Sequence, residues 1–245
     1  MTQAPALILG GFSDIGLAIA RRFAAEGHPI LLAVRQIDRL QDDACDLKTR
    51  FNVSVHLIDF DALASDQFES LIESLPLQPK IVICAVGLLG KQEASEKDWR
   101  IATTVMRSNF EGPAMILSHF ANHFEMIGQG TLIGISSVAG DRGRASNYIY
   151  GAAKAGFTAF LSGLRNRLAR KGVQVITILP GFVATRMTAD LNLPKALTAS
   201  PEQVADSVLA AMHKRRDIVY VAPIWRLIMF VICHLPEPIF KRLRI

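Results

Sequence analysis

The stretch ISSVAGDRGRASNYIYGAAKAG, residues 135–156, places a hydroxyl, a phenol and an ammonium group at fixed spacing. Tyr150 and Lys154 are four residues apart in an Ala- and Gly-rich run that predicts the first turns of a helix, so their side chains share one helix face. A nearby ammonium favours the phenolate, and we therefore predict that Lys154 lowers the pKa of Tyr150 below its ordinary value of about 10. Such a phenol exchanges a proton near neutral pH. With Ser137 as the accompanying hydroxyl, the stretch indicates acid–base chemistry on an oxygen atom.

The N-terminal segment predicts a strand, a glycine-rich turn and a helix. An apolar run over residues 5–11 ends in glycine, and residues 15–26 follow with helical periodicity. The turn between them, LGGFSDIG, lets the backbone approach a pyrophosphate, whose charge would lie on the N–H groups at the helix start. Two glycines alone also fit a plain tight turn, but their position directly after the first strand favours dinucleotide binding. The residues that we assign to this contact are Gly10, Ser13, Ile15 and Gly16.

The residue after the second predicted strand indicates which dinucleotide is bound. Residues 30–34 form an apolar run, and Arg35 follows it, 19 residues after Gly16. An acid at this point would hydrogen-bond the ribose 2′-hydroxyl of NAD, whereas an arginine accommodates the 2′-phosphate of NADP. The alternative is that Arg35 only ends a strand. We predict NADP(H) as the cofactor.

Strands and helices alternate along the rest of the chain. Apolar runs predict strands at residues 53–58, 81–87, 131–135 and 174–179, with a short last strand at 218–221. The pattern over residues 97–126 is helical, and Ser200 and Pro201 predict the start of a helix that ends at His213. This order predicts an α/β protein with a doubly wound parallel sheet, right-handed crossovers and helices on both faces.

The spacing in the stretch 135–156 resembles that of the short-chain dehydrogenase/reductase family. That family has a Ser, a Tyr thirteen residues later and a Lys four residues after the Tyr, which positions 137, 150 and 154 match. Tyr148 does not fit, because Ala152 stands four residues after it. The resemblance covers residues 5–187 and implies a single-domain Rossmann-type fold.

The resemblance assigns roles to four catalytic residues. Tyr150 would protonate the substrate oxygen, Ser137 would hydrogen-bond that oxygen, and Lys154 would hold the ribose hydroxyls of the cofactor. Asn109, in the sequence RSNFEG, would bend its helix and hold a water in the proton path. A capping residue or a surface amide is the alternative for Asn109.

Further cofactor contacts follow from the same resemblance. Asp59 and Phe60 stand where the family touches adenine, and the turn PGFVAT stands where it holds the nicotinamide carboxamide. Leu9 and Asp14 replace a Thr and a Gly of the family's glycine motif, and only Gly87 remains of its N-N-A-G segment. The contacts implied in the turn are Pro180, Gly181, Val183 and Thr185.

Three segments narrow the resemblance to particular members of the family. LGGFSDIGLAIA, YIYGAAKAG and DIVYVAPIWRLIM resemble members that reduce a keto-pentose carried on decaprenyl phosphate. This implies NADPH-dependent reduction of a ketone to a secondary alcohol, with a keto-sugar on a polyprenyl phosphate as substrate, in a homodimer or homotetramer. Another lipophilic or small ketone is an alternative substrate. A non-catalytic NADP-binding regulator is an alternative that Asp14 motivates, and a sugar epimerase is disfavoured because such relatives carry a larger C-terminal substrate domain.

Composition indicates a globular protein of a reducing compartment. Half of the 245 residues are hydrophobic, and the chain starts without a basic n-region or a cleavage site, so we expect a cytoplasmic protein. Cys45, Cys84 and Cys233 lack CxxC spacing and are expected to be buried thiols. His119 and His123 are four residues apart but lack the glutamate of HExxH and a third ligand, so we predict no metal site.

The C-terminal segment carries the charge imbalance of the chain. Residues 214–245 hold seven basic and two acidic residues, which equals the whole net charge of +5, so we predict no nucleic-acid-binding domain. We divide the chain into a catalytic domain, residues 1–222, and an amphipathic basic tail, residues 223–245. The apolar run 227–231 is far too short to span a bilayer.

Two alternatives are open for this tail. One is an interfacial helix with Trp225 at headgroup level and Lys241, Arg242 and Arg244 facing anionic lipid, broken in two by the prolines at 236 and 238. The other is packing across a subunit interface or along the substrate pocket. The expected partners are therefore a ketone or secondary alcohol, another subunit, and a peripheral membrane contact on the inner face of the cell membrane.

Overall fold

The computed structural model describes residues 3–243 and contains a seven-stranded parallel sheet. The strands in chain order are β1 (Ala6–Leu9), β2 (Ile30–Val34), β3 (Val55–Asp59), β4 (Ile81–Cys84), β5 (Gly130–Ile135), β6 (Val173–Leu179), β7 (Phe182–Val183), β8 (Thr198–Ala199) and β9 (Ile218–Tyr220). Across the sheet their order is β3-β2-β1-β4-β5-β6-β9. Strands β7 and β8 pair with each other in a separate two-stranded sheet that the sequence did not predict.

Helices cover both faces of the sheet, as the α/β doubly wound prediction requires. They are α1 (Asp14–Ala25), α2 (Gln41–Phe51), α3 (Phe68–Glu73), α4 (Gln92–Lys97), α5 (Trp99–Met106), α6 (Gly112–Ile127), α7 (Tyr148–Leu168), α8 (Pro201–His213), α9 (Ile224–His234) and α10 (Glu237–Phe240). One core layer contains buried residues of α1, α2 and α8, and the other contains buried residues of α3, α6 and α7. The predicted fold class is therefore confirmed.

The central strands are apolar at every position because both of their faces are covered. In β1, Ile8 points into the first core layer, whereas Leu7 and Leu9 point into the second, and all three are fully buried. Helix α8 begins where predicted, with the Ser200 side chain accepting a hydrogen bond from the Gln203 N–H at 3.3 Å. Apolar runs therefore located the strands of the seven-stranded sheet, and the capping residues Ser200 and Pro201 located the start of this helix.

The chain reverses its winding direction at β1, which lies between β2 and β4. Ligands of such sheets bind in the crevice at the carboxyl ends of the strands on either side of this point. Gly10 lies here with φ = 85°, and a Cβ at this position would lie 2.9 Å from the carbonyl carbon of Ala85. Only glycine combines this backbone conformation with such close contact between the two strand ends.

The single helical segment predicted over residues 97–126 is divided in the structure. Asp98 has extended backbone angles, and its side chain accepts a hydrogen bond from the Arg100 N–H at 2.8 Å, so α5 begins anew after α4. A π-helical turn, Arg107–Glu111, then separates α5 from α6. Asn109 lies within this turn, which agrees with the predicted bend.

Trp225 is buried, so the prediction that its ring lies at headgroup level was wrong. The residue is only 3% exposed and packs with Met229 against Val138 and Leu179 of the body. The α9 helix ends at His234 and the short α10 follows Pro236, which confirms the predicted break at Pro236, whereas Pro238 lies within the first turn of α10. Arg244 and Ile245 lie outside the described residues.

No helix within residues 3–243 has the length and apolar character needed to cross a bilayer. Within the same range, no three His, Cys, Asp or Glu side chains gather in a way that could hold a metal ion. The expectation of three buried thiols was wrong, because Cys45 and Cys233 are exposed and only Cys84 is buried. Both exposed cysteines lie on surface helices, α2 and α9, where the sequence pattern did not distinguish the outer face.

Candidate active site

A cavity of about 760 Å³ opens at the carboxyl ends of the strands. It brings together thirteen of the predicted site residues from distant parts of the sequence. They are Gly10, Ser13, Ile15, Arg35, Phe60, Gly87, Ser137, Tyr150, Lys154, Pro180, Gly181, Val183 and Thr185. The other three predicted residues, Gly16, Asp59 and Asn109, are not among the residues that line it.

The turn after β1 is shaped by Ser13 and Gly16. The Ser13 hydroxyl donates to the Gly10 carbonyl oxygen at 2.8 Å and accepts from the Gly16 N–H at 2.9 Å, which makes Ser13 the N-cap of α1. Gly16 therefore acts through the turn and does not face the cavity. The start of α1 lies at the cavity wall, where a helix N-terminus offers N–H donors that suit a pyrophosphate.

Ser136 and Ser137, which follow β5, connect the sheet to α7. The Ser136 hydroxyl lies 2.7 Å from the Thr158 hydroxyl and donates to the Lys154 carbonyl oxygen at 3.1 Å, which fixes α7 against β5. The Ser137 hydroxyl accepts from the Ala139 N–H at 3.1 Å. This bond orients the Ser137 hydroxyl at the C-terminal end of β5, beside Tyr150.

Lys154 is buried, with 2% of its surface exposed. Its ammonium donates to the carbonyl oxygens of Ile135 at 3.0 Å and Val86 at 3.4 Å, and lies 5.9 Å from the centre of the Tyr150 ring. Burial lowers the pKa of Lys154 to about 8. The side chain is thus held by main-chain oxygens of β5 and of the segment after β4.

The prediction that Lys154 lowers the pKa of Tyr150 below its ordinary value was wrong. Burial raises the pKa of Tyr150 to about 12, although hydrogen bonding with Ser137 works in the opposite direction. The Lys154 ammonium donates to main-chain carbonyl oxygens and lies 5.9 Å from the ring centre, and it does not offset the effect of burial on the phenol. Tyr150 is therefore a neutral phenol at pH 7.

Asn109 braces the segment that follows β4. Its side-chain amide donates to the carbonyl oxygens of Leu88 at 2.7 Å and Val105 at 2.8 Å, and its oxygen accepts from the Leu88 N–H at 3.2 Å. A Cβ on Gly87 would lie 3.4 Å from the same amide oxygen. Asn109 is fully buried, so it shapes the cavity wall from behind, and its part in proton relay stays a prediction.

Sequence reasoning missed a cluster at the pyrophosphate turn. The Asp14 carboxylate accepts from the Arg186 backbone N–H at 2.7 Å and from its Nε at 2.8 Å, and the same guanidinium donates to the Phe12 carbonyl oxygen. The Phe12 ring lies between two guanidinium groups, that of Arg186 at 4.4 Å and that of Arg39 at 4.7 Å. The signal in the sequence was Asp14 itself, an acid in place of a glycine, whose partner lies 172 residues away.

Trp225 of α9 forms part of the cavity wall. The Trp225 indole N–H donates to the Leu197 carbonyl oxygen at 3.1 Å, and its ring meets the Phe182 ring edge-on with centres 5.2 Å apart. A Cβ on Gly181 would lie 2.0 Å from the same indole, so only glycine fits there. Sequence analysis assigned Gly181 to the cofactor, and the structure adds this packing requirement.

Arg142 fastens the C-terminal helices to the segment between Ser137 and Tyr150. Its guanidinium donates to the carbonyl oxygens of Ile232 at 2.6 Å and Leu235 at 2.7 Å, and forms an ion pair with Glu237 at 2.8 Å. It also lies 3.6 Å from the centre of the Phe240 ring. The otherwise unpaired carbonyl groups at the end of α9 are satisfied in this way.

Comparisons with known proteins agree with this geometry. The family model for short chain dehydrogenases matches residues 4–196. An uncharacterized oxidoreductase of Mycobacterium tuberculosis H37Rv is 35% identical over 243 residues, 98% of this chain and 97% of that protein. One of Streptomyces coelicolor is 33% identical, over 97% of this chain and 94% of that protein.

Two solved structures have the same fold. A short-chain dehydrogenase from Sphingobium yanoikuyae in complex with NADPH has a TM-score of 0.82 at 22% identity, covering 95% of this chain and 97% of that one. A short chain dehydrogenase from Burkholderia cenocepacia in complex with NADP has a TM-score of 0.82 at 21% identity, covering 98% and 96%. At this level of identity the similarity shows the fold.

Proposed function

The chain belongs to the short-chain dehydrogenase family, and from this premise we propose that it is an NADPH-dependent reductase that converts a ketone to a secondary alcohol. The observation that carries the proposal is the meeting of Ser137, Tyr150 and Lys154 at one end of a cavity whose other end is a dinucleotide-binding turn. A hydroxyl, a neutral phenol and a buried ammonium at one point are the groups that a carbonyl reduction needs.

The residues of the cavity fit a phosphorylated dinucleotide. The contact between Gly10 and Ala85 leaves no room for a Cβ, and the N-terminus of α1 with its Ser13 cap supplies N–H donors for a pyrophosphate. Arg35 lies on the cavity wall without a hydrogen-bonding partner among residues 3–243, and Arg39 lies on the same wall. These two guanidinium groups suit a 2′-phosphate.

Nicotinamide, when bound, supplies the hydride for the carbonyl carbon. Tyr150 gives its proton to the carbonyl oxygen, since a phenol with a pKa of about 12 is protonated at neutral pH and is ready to act as an acid. Ser137 donates a hydrogen bond to the same oxygen and stabilises the charge that develops there. The Lys154 ammonium, 5.9 Å from the centre of the Tyr150 ring, would hold the ribose hydroxyls of the cofactor beside the phenol.

The mouth of the cavity supports a lipophilic substrate. Leu88, Met187 and Leu191 line it, are 40–48% exposed and together give it an apolar surface. We propose a keto-sugar carried on a polyprenyl phosphate as the substrate class, with other lipophilic ketones as the competing class. NADPH oxidation measured with a panel of simple ketones, lipophilic ketones and polyprenyl-phosphate keto-sugars tests this, and an absence of turnover with every member would refute the reductase proposal.

Cofactor preference depends on Arg35. We expect Arg35→Asp to weaken NADPH binding by roughly ten- to a hundredfold and to shift preference toward NADH, because a charge-assisted contact to the 2′-phosphate contributes about 1.5–3 kcal/mol. The measurement is titration of each nucleotide by fluorescence. Arg170→Asp, the same change at an exposed arginine on α7's C-terminal side, is the matched control and should bind NADPH like the wild type. Equal NADPH affinity in wild type and Arg35→Asp would contradict the assignment.

The outer face of α9 supports a peripheral membrane contact. Leu227, Phe230 and Val231 are 52–61% exposed, and basic side chains at Arg226 and Lys241 lie on the same segment. We propose that this face docks on an anionic bilayer surface, where the ring of Phe230 enters the headgroup boundary and the cations meet lipid phosphates.

Flotation with anionic liposomes tests the membrane proposal. The full chain should float at low salt, and a Leu227→Glu, Phe230→Glu double variant should lose most of this binding, because two charges replace the apolar contact. Met126→Glu, at a 79% exposed methionine on α6, is the control and should float like the wild type. If wild type and double variant both stay with the soluble fraction while the variant changes its elution on a sizing column, the face is a subunit interface.

Subunit association is proposed from a second apolar surface. Trp99, Ile101 and Met106 on α5, together with Phe110 in the π-helical turn, are 39–69% exposed. A group of large apolar side chains on one helical segment is typical of a subunit contact. We propose that the protein is a homodimer or homotetramer and that it lies in the cytoplasm. The elution volume on a sizing column would report the oligomeric state.

A further inference from the structure

The turn that precedes the catalytic helix holds two polar side chains that the reaction described above does not use. The Asn147 N–H donates to the Arg144 carbonyl oxygen at 3.1 Å, and the Gly151 N–H donates to the Asn147 carbonyl oxygen at 2.8 Å. The turn thus leads directly into α7, one turn before Tyr150. Both side chains line the cavity at its catalytic end.

Both side chains contain a buried polar atom without a partner. Within the described part of the chain, neither Nε of Arg144 nor Oδ1 of Asn147 has a hydrogen-bonding partner, although both atoms are shielded from solvent. A buried donor or acceptor left unpaired destabilises a protein by about 1–3 kcal/mol, so such atoms in a cavity wall indicate a ligand contact. Burial also lowers the pKa of Arg144, whose guanidinium is nonetheless charged at neutral pH.

Arg142, two residues before Arg144, shows that an unpartnered guanidinium atom is not a general property of the loop. Arg142 directs its guanidinium to the end of α9 and to Glu237, where all its contacts are structural. Arg144 has no ion pair among residues 3–243, and the nearest acid, Asp141, accepts a hydrogen bond from the Tyr220 hydroxyl at 3.1 Å. The two arginines of one short loop therefore have different functions.

The remaining carboxylates of the cavity wall are engaged elsewhere. Asp14 is paired with Arg186, and Asp61 accepts from the Leu63 N–H at 3.0 Å in the segment after β3. The catalytic end therefore presents the positive charge of Arg144 in addition to that of Lys154. An anion placed there gains attraction without facing a free carboxylate of the described cavity wall.

We infer that Arg144 and Asn147 form a substrate subsite for an oxyanion, a carboxylate or a phosphate ester, carried by the ketone close to its carbonyl group. The planar guanidinium matches two oxygens of such a group, and Oδ1 of Asn147 accepts a hydrogen bond from a neighbouring substrate hydroxyl. This subsite rests on the proposed reductase function and adds the charge class of its substrate.

Matched pairs of ketones test the inference. The probes are dihydroxyacetone phosphate with dihydroxyacetone, and levulinate with its methyl ester, so that a phosphate and a carboxylate are each compared with a neutral partner. For the wild type we expect higher kcat/KM with the anionic member of at least one pair. For Arg144→Gln we expect a roughly ten- to hundredfold loss on that member, through KM, and less than about threefold loss on its neutral partner.

Two further variants separate a binding role from a general disturbance. Arg144→Lys keeps a positive charge and should restore part of the preference, although it cannot donate in the bidentate manner of arginine. Arg170→Gln removes an exposed arginine of the body and should leave all four substrates unchanged. A loss that is equal on anionic and neutral ketones, or a loss in Arg170→Gln, would overturn the inference.

The outcome can be distinguished from a failure of the reductase proposal. If the wild type turns over none of the four ketones, binding of glycerol 3-phosphate and of glycerol to the NADP-loaded protein is measured by calorimetry. Preferential binding of glycerol 3-phosphate that Arg144→Gln abolishes would support the subsite even without turnover. Turnover of neutral ketones with no anion preference in either assay would leave the reductase intact and reject the subsite.

Discussion

Replacing Tyr150 by phenylalanine is expected to abolish ketone reduction while leaving NADPH binding nearly unchanged. The phenol is the only proton donor that we place at the carbonyl oxygen, and loss of a general acid lowers rates by roughly 10²–10⁴-fold. The ring, which packs beside Lys154 at 5.9 Å from its ammonium, is retained in the variant, so the cavity keeps its shape. Single-turnover reduction and fluorescence titration of NADPH measure the two quantities separately.

Tyr148 provides the matched control for this experiment. It lies two residues earlier on the same helix and is 45% exposed, so Tyr148→Phe removes the same atom outside the cavity and should keep the wild-type rate. Wild-type turnover in Tyr150→Phe on the best substrate would remove the catalytic assignment. A loss of the same size in both variants would show that the helix start, and not the phenol, is responsible.

Replacing Lys154 by methionine is expected to reduce activity severely and to stabilise the fold. The pKa of Lys154 is about 8 in the folded protein against 10.5 ordinarily, so the charged side chain opposes folding by about 3 kcal/mol at neutral pH. Methionine removes this destabilising buried charge. The carbonyl oxygens of Val86 and Ile135 lose their hydrogen-bond donor in return. We expect a net gain of about 1–3 kcal/mol in the free energy of unfolding at pH 7, measured by urea denaturation.

The pH dependence of this gain identifies its cause. Because the folded pKa is depressed, the unfolded chain binds more protons between about pH 8 and pH 10.5, and the wild type becomes relatively more stable across that window. The difference between variant and wild type should therefore be largest below pH 8 and shrink as the pH rises. Lys195→Met, at an exposed lysine, is the control and should show no such change. A pH-independent difference, or a variant less stable than wild type at pH 7, would contradict the role of burial.

Local patterns were sufficient to predict the strands of the sheet and the proximity of Tyr150 and Lys154 on one helix. The fully buried strands β1 and β2 are apolar at every position. Such runs are recognisable because helices cover both faces of a parallel sheet, so the side chains on both faces must be apolar. Tyr150 and Lys154 were identified because the period of a helix fixes their relation within one turn. Both inferences concern residues whose relation is set within a single element.

Properties that arise between distant elements were predicted poorly. The pKa of Tyr150 depends on burial and on where the Lys154 ammonium finds its carbonyl partners, which is decided by β4 and β5. Trp225 is buried because Gly181, 44 positions earlier, leaves a space that the indole fills. An amphipathic pattern does not specify which of its apolar side chains face the body and which face outward.

The pairing of Asp14 with Arg186 has a kinetic consequence for the enzyme. It joins the turn after β1 to the segment after β7 beside the cavity in which we propose that the dinucleotide binds, so we expect the dinucleotide to leave more readily when this exposed ion pair opens. The attraction between exposed charges weakens as dissolved ions screen it, over a Debye length of about 10 Å at 0.1 M. We therefore expect the residence time of the dinucleotide, and with it the maximal turnover when product release is slow, to depend on the ionic strength of the surrounding medium.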